Sequence, residues 1–141
     1  MPLTVIVVDD SAVMRAMILR TLRLSGLPLG ETVCCSNGQE GLDAIRARRP
    51  DLALVDINMP VMDGEQMIDH LRADAKTASV PVVVVSTESS DARVERLRAK
   101  GARFVHKPFT PEQLRDTILA LTGIPNEQTA TAARAGDNVD F

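Results

Sequence analysis

Five short, largely β-branched apolar runs punctuate the chain, at Val5–Val8, Val33–Cys35, Leu52–Val55, Val82–Val85 and around Phe104–Val105. Runs of this length without polar alternation predict strands buried on both faces. Between them, apolar residues recur at helical spacing: Val13, Met14, Met17 and Ile18; Leu42 and Ile45; Met67, Ile68 and Leu71; Val94 and Leu97; Leu114, Ile118 and Leu121. Met14 and Met17 fall on the first of these stripes and read as core packing. End signals agree with these boundaries. Asn37 with Glu40, and Thr110-Pro111-Glu112-Gln113, have the capping-box arrangement, the second with Pro at the first helical position. Gly26 and Gly123 stand where the first and last helices should stop.

Five strand–helix units in a row predict an α/β fold, because consecutive parallel strands need right-handed helical crossovers. For five strands the common doubly wound, flavodoxin-like order is 2-1-3-4-5, with helices on both faces and the ligand crevice at the carboxyl ends of strands one and three. That order makes a demand on the sequence: chemistry should cluster just after the strands. The residues there are Asp9-Asp10, Asp56, Ser86-Thr87 and His106-Lys107-Pro108. The predicted strand order brings them to one edge.

Composition narrows the classes. A chain of 141 residues, 45% apolar and with a formal charge of −3, is one ordinary globular domain. At this size folding removes roughly two thirds of the chain's surface from water, so no staple or structural metal is required. With no Trp, no Tyr and three Phe, the sequence argues against stacked-base nucleic-acid readers, and its mild acidity argues against a phosphate-backbone binder. Cys34 and Cys35 are adjacent, offer no zinc-ligand spacing, and read as two buried thiols. The start lacks a basic segment followed by a long apolar run, so a cytoplasmic protein with no membrane insertion is expected.

Three carboxylates gathered at one edge cannot all stay ionised without a counter-charge, and a hard divalent cation with oxygen ligands is the usual remedy. Magnesium shares its coordination readily with phosphate oxygens. The sequence holds neither a GxxxxGK[ST] nor a GxGxxG cradle for a nucleotide, so the phosphoryl group is expected to become attached to the protein itself. His70 and His106 have no ligand spacing between them and are not read as a metal site.

These residues carry a resemblance. Val7-Val8-Asp9-Asp10-Ser11, Asp56-Ile57-Asn58-Met59-Pro60-Val61-Met62-Asp63-Gly64, the Ser86-Thr87 pair and Lys107-Pro108-Phe109 together resemble the receiver domain of two-component response regulators. The likeness runs from about Thr4 to Leu121, and Asp9 to Arg15 is most similar to single-domain chemotaxis regulators of the CheY type. The resemblance implies that Asp56 is the phosphoacceptor, taking a phosphoryl group from a phosphohistidine. It implies that Asp10 ligates Mg2+ with Asp9 assisting, together with Asp56 and the backbone carbonyl of Asn58. Lys107 would pair with Asp56 and then with the phosphoryl oxygens. Ser86 would be the switch hydroxyl, with Thr87 the alternative, and Phe104 the aromatic switch. Asn58 and Glu88 occupy positions that control dephosphorylation, and their identity implies a short-lived phosphoryl group that a phosphatase accelerates. One departure stands out: the stretch from Gly101 to Lys107 is a residue shorter than the commonest family spacing, which leaves open the shape of the loop before strand five.

The resulting expectation is a receiver domain over residues 1–123 and a flexible tail over residues 124–141. The tail is too short for a DNA-binding effector. Partners are then a histidine kinase or histidine phosphotransfer protein upstream, and a target protein on the helix four, strand five and helix five face, in chemotaxis or motility. A phosphorelay intermediate is the alternative. The chain is not expected to be a conventional enzyme. An aspartyl-phosphate phosphatase of the haloacid dehalogenase kind would want an Asp at Asn58 and a cap domain. A flavin carrier would want a hydroxyl-rich loop after strand one. Asp137 to Phe141 could dock on the switch face as a target mimic.

Overall fold

The computed structural model describes residues 2–87 and 90–123. Glu88 and the tail, including Asp137 to Phe141, lie outside the described residues. Ten elements alternate: β1 Leu3–Val8, α1 Ala12–Leu24, β2 Leu29–Cys35, α2 Gly38–Arg48, β3 Leu52–Val55, α3 Gly64–Ala73, β4 Val82–Ser86, α4 Asp91–Ala99, β5 Arg103–His106 and α5 Pro111–Thr122. The five strands form one parallel sheet in the order β2-β1-β3-β4-β5.

Side-chain alternation along the strands divides the core in two. On one face Ile6, Val8, Val55 and Val84 pack with Leu42 and Ile45 of α2 and with Met67, Ile68 and Leu71 of α3. On the other, Val5, Val7, Leu54 and Val85 pack with Ile18 and Leu22 of α1 and Leu114 and Ile118 of α5. Strands β1, β3 and β4 are fully buried along these runs, as expected. The edge strands are not. Arg103 and His106 of β5 and Glu31 and Cys34 of β2 are exposed, because an edge strand has a neighbour on one side only. Of the two thiols, therefore, only Cys35 is buried, and burial raises its pKa. The α1 stripe is also narrower than its spacing suggests: Ile18 and Leu22 face the sheet, Met14 is half-buried, and Val13 and Met17 are 72% and 55% exposed.

Helix ends follow local chemistry. Thr110 and Gln113 form the expected reciprocal box, and Asp63 with Gln66 forms another. Asn37 accepts from the Glu40 amide, but the Glu40 carboxylate reaches Ser36 instead of returning to Asn37. The shortened link before β5 is a complete Schellman turn. Gly101 takes φ +84, its N–H donates to Arg98 O (2.9 Å), and Ala102 N–H donates to Leu97 O (3.1 Å). Strand β5 starts at the next residue and pairs with β4 along its whole length.

Candidate functional site

The carboxyl ends of β1, β3 and β5 converge. Asp9 follows β1 and is held by its backbone N–H donating to Cys35 O (3.0 Å), by Arg15 Nη1 donating to its carbonyl (2.7 Å), and by Ser11 N–H donating to its Oδ1 (2.9 Å). Asp56 follows β3, and its N–H donates to Val8 O at 2.9 Å. Lys107 follows β5; its N–H donates to Ser86 O (2.9 Å), and its peptide bond to Pro108 is cis. The Lys107 ammonium lies 3.2 Å from Asp9 Oδ2 and 3.7 Å from Asp56 Oδ1. These three side chains are 2%, 11% and 14% exposed for Asp9, Asp56 and Lys107. Asp10 sits beside them at the exposed rim.

Carboxylate oxygens of Asp9, Asp10 and Asp56 all lie within 4.8 Å of one another. The Lys107 ammonium meets two of them, Asp9 and Asp56. Burial pushes the Asp56 carboxyl up; Lys107 opposes this, and the charges of Asp9 and Asp10 add to it. Such an oxygen donor set, short of positive charge, fits a magnesium ion.

The loop after Asp56 is fixed from below. Asp56 Oδ1 accepts from Ile57 N–H (2.9 Å), and Gly64 N–H donates to Ile57 O (2.8 Å). A Cβ on Gly64 would lie 2.2 Å from the Asp56 carbonyl oxygen, so only glycine lets α3 start against the phosphoacceptor candidate. Gly38 plays the same part from α2: its N–H donates to Met62 O (3.0 Å), and a Cβ would lie 2.4 Å from that oxygen. Sequence reasoning missed both contacts, although the Asp63-Gly64 pair at a helix start is a visible signal. Val61 takes φ +68 and is 81% exposed, an unusual conformation for a β-branched residue.

Of the other expected residues, Ser86 ends β4 and is buried, whereas Thr87 is exposed. Register pairs Val84 with Phe104 and Ser86 with His106, so Ser86 and Phe104 share the α4 side of neighbouring strands. Phe104 is half-buried against the core, 4.5 Å from the His106 ring, and lines a cleft of about 420 Å³ with Pro108, Gln113 and Thr117. Asn58 is exposed beside the pocket, and His70 lies away from it on α3.

A doubly wound sheet with an acidic pocket and one lysine at its switch point defines a class, and sequence comparison agrees. Residues 5–119 match the response regulator receiver domain, and the chain belongs to that family. It is 41% identical over 118 residues to the transcriptional regulatory protein PrrA of Mycobacterium tuberculosis, covering 83% of this chain and 48% of that protein. The chain thus spans about half the length of the PrrA relatives it matches. It is 32% identical over 120 residues to the chemotaxis protein CheY1 of Helicobacter pylori, covering 84% of this chain and 95% of that one. Among solved structures, the Vibrio cholerae chemotaxis protein CheY4 aligns with a TM-score of 0.75 and 31% identity, over 86% of this chain and 99% of that chain.

Proposed function

We propose that the domain accepts a phosphoryl group on Asp56 in a magnesium-dependent reaction and signals by protein–protein contact. The observation that carries this is the charge imbalance of the pocket, three carboxylates of which the Lys107 ammonium meets two. Asp9, Asp10, Asp56 and the Asn58 carbonyl would hold the ion. When bound, magnesium supplies charge neutralisation for the transferring phosphoryl oxygens.

The protein's own part is positioning, which is most of what phosphoryl transfer asks. The Asp56 carboxylate attacks phosphorus, the nitrogen–phosphorus bond of the donor phosphohistidine breaks, and an acyl phosphate forms while the histidine leaves as neutral imidazole. Lys107, already within reach of Asp56, moves its charge to a phosphoryl oxygen. The Ser86 hydroxyl turns toward the new group, and Phe104 follows it across the sheet. Hydrolysis by water, governed by Asn58 and Glu88, returns the free carboxylate and inorganic phosphate, with a phosphatase accelerating it. This is self-dephosphorylation of a signalling protein and not conventional enzyme turnover.

The near-complete coverage of CheY1 supports a chemotaxis or motility role, with the target on the α4–β5–α5 face. A polar-differentiation response regulator, DivK of Brucella anthropi, is 31% identical and covered over 98% of its length, and a relay intermediate that passes its phosphoryl group to a histidine phosphotransfer protein is the second reading. No described helix is long and apolar enough to cross a membrane. Receipt of a phosphoryl group from a histidine kinase is the ground on which we assign the domain to the cytoplasm. Beryllofluoride with magnesium mimics the acyl phosphate; amide shifts at Asp56, Ser86, Phe104 and α4 are expected, and an unchanged spectrum rejects the proposal. Transfer from a labelled chemotaxis histidine kinase, beside transfer to a histidine phosphotransfer protein, separates the two roles.

A further inference from the structure

A second cluster of charge lies outside the pocket, between α3 and α4. Glu65, in the first turn of α3, accepts from Arg96 Nε (2.5 Å) and Nη2 (2.9 Å) and from Lys100 Nζ (2.9 Å). Lys100 also lies 2.7 Å from Asp69 Oδ1, and Arg93 Nε lies 3.8 Å from Glu65 Oε1. The spacing is helical on both sides: 65 and 69 on α3, and 93, 96 and 100 from α4 into its C-cap. Paired surface charges usually contribute little. This pairing is of another kind, because the Glu65 side chain is only 15% exposed and the arginine fork is bidentate.

Its position gives it leverage. Glu65 follows Gly64, which is packed against the Asp56 carbonyl, so its backbone is rigidly tied to the phosphoacceptor loop. Helix α4 is tied weakly. Only Val94 and Leu97 are buried, and only Leu97 joins the main core. It starts just beyond Ser86, with Ser90 as its N-cap. At its other end Arg72 Nε donates to Lys100 O (2.8 Å), which anchors the C-terminus. Glu65 adds a polar tie where α4 has few apolar ones: it lies near Arg93 in the first turn, accepts from Arg96 in the middle of the helix and meets Lys100 at its C-cap.

We infer that Glu65 is a positioning residue: it latches α4 to the phosphoacceptor loop and holds the unmodified state. The latch stands on geometry alone; its effect on signalling rests on the phosphoacceptor reading above. If phosphorylation at Asp56 moves α4, that motion must break or stretch the latch, and linkage then makes the converse true: removing the latch favours the modified state by the same factor.

Two measurements on the full chain test this with Glu65→Gln, with Arg96→Ala attacking the same latch from α4 should the first variant fold poorly, and with Asp69→Asn as a control. Without magnesium, amide hydrogen exchange of residues 91–100 should rise about ten-fold in Glu65→Gln and about two-fold in Arg96→Ala, which leaves Lys100 on Glu65, while α5 is unchanged. With magnesium, the apparent affinity for beryllofluoride should tighten by roughly five-fold in Glu65→Gln and about two-fold in Arg96→Ala, and stay unaltered in Asp69→Asn. A merely structural ion pair would not tighten ligand binding. Unchanged exchange overturns the latch, and faster exchange with unchanged affinity overturns the coupling. If the native sequence itself ignores beryllofluoride, the phosphoacceptor reading falls, and the exchange arm still decides the latch.

Discussion

The molecule holds two charged clusters of opposite character. At the carboxyl ends of β1, β3 and β5, Asp9, Asp10 and Asp56 share one lysine, and the Asp56 carboxyl is pushed up by burial. Between α3 and α4, Glu65 and Asp69 meet Arg93, Arg96 and Lys100, and the hydrogen bonds from Arg96 together with Lys100 hold the Glu65 carboxyl down at about 2. The first cluster is short of positive charge and the second is satisfied. The lesson is that a deficit marks where a ligand is wanted, whereas satisfaction marks where shape is held.

The sharpest way to break this comparison is to worsen the deficit. Lys107→Met takes the ammonium from Asp9 and Asp56, and we expect a loss of about 2 kcal/mol at neutral pH, below the roughly 3–5 kcal/mol that stripping a partner from a fully buried charge costs, because the pocket opens to solvent at Asp10. Magnesium should return much of it, since an ion that binds the folded state stabilises by mass action. Thermal unfolding with and without magnesium reads both effects; a variant as stable as the native protein in magnesium-free buffer contradicts the claim of a deficit.

A smaller effect of opposite sign is expected when the deficit is relieved. Asp56→Asn should stabilise the magnesium-free protein by about 1 kcal/mol at pH 7. The sign follows from the raised pKa of Asp56 in the folded state. The folded protein binds that proton more tightly than the unfolded chain does, so native stability is lost as pH rises through the folded pKa. The advantage of Asn therefore fades on acidification toward the ordinary carboxylate range. Denaturant unfolding across pH 4 to 8 tests this, and an advantage that grows toward acid would reverse the argument.

The smallest effect belongs to the satisfied cluster. Arg96→Ala should cost about 0.5 kcal/mol, because the arginine is half-exposed and Lys100 remains on Glu65. That cost should shrink in high salt, whereas the Lys107→Met loss, being buried, should persist.

Much of this was legible in the sequence. Uniform apolar runs report strands with neighbours on both sides, so β1, β3 and β4 read cleanly, and with them the strand ends that carry Asp9, Asp56 and Ser86. Burial failed at Cys34 and Met17 because an apolar side chain on an edge strand or helix flank has the same composition as one in the core. The Glu65 cluster was hidden for a related reason: charged residues at helical spacing look like any solvated face until α3 and α4 are placed side by side. The close approach of Gly64 to Asp56 is likewise a tertiary fact, which the local Asp63-Gly64 signal marks only as a helix start.

The central claim, that the acidic pocket is a magnesium-dependent acceptor, is tested most directly by treating the protein with acetyl phosphate and mapping the added mass by peptide. The account predicts one phosphoryl group on the peptide containing Asp56, formed with magnesium, absent with chelator and absent in Asp56→Asn. A phosphoryl group found elsewhere, or uptake indifferent to magnesium, would contradict it.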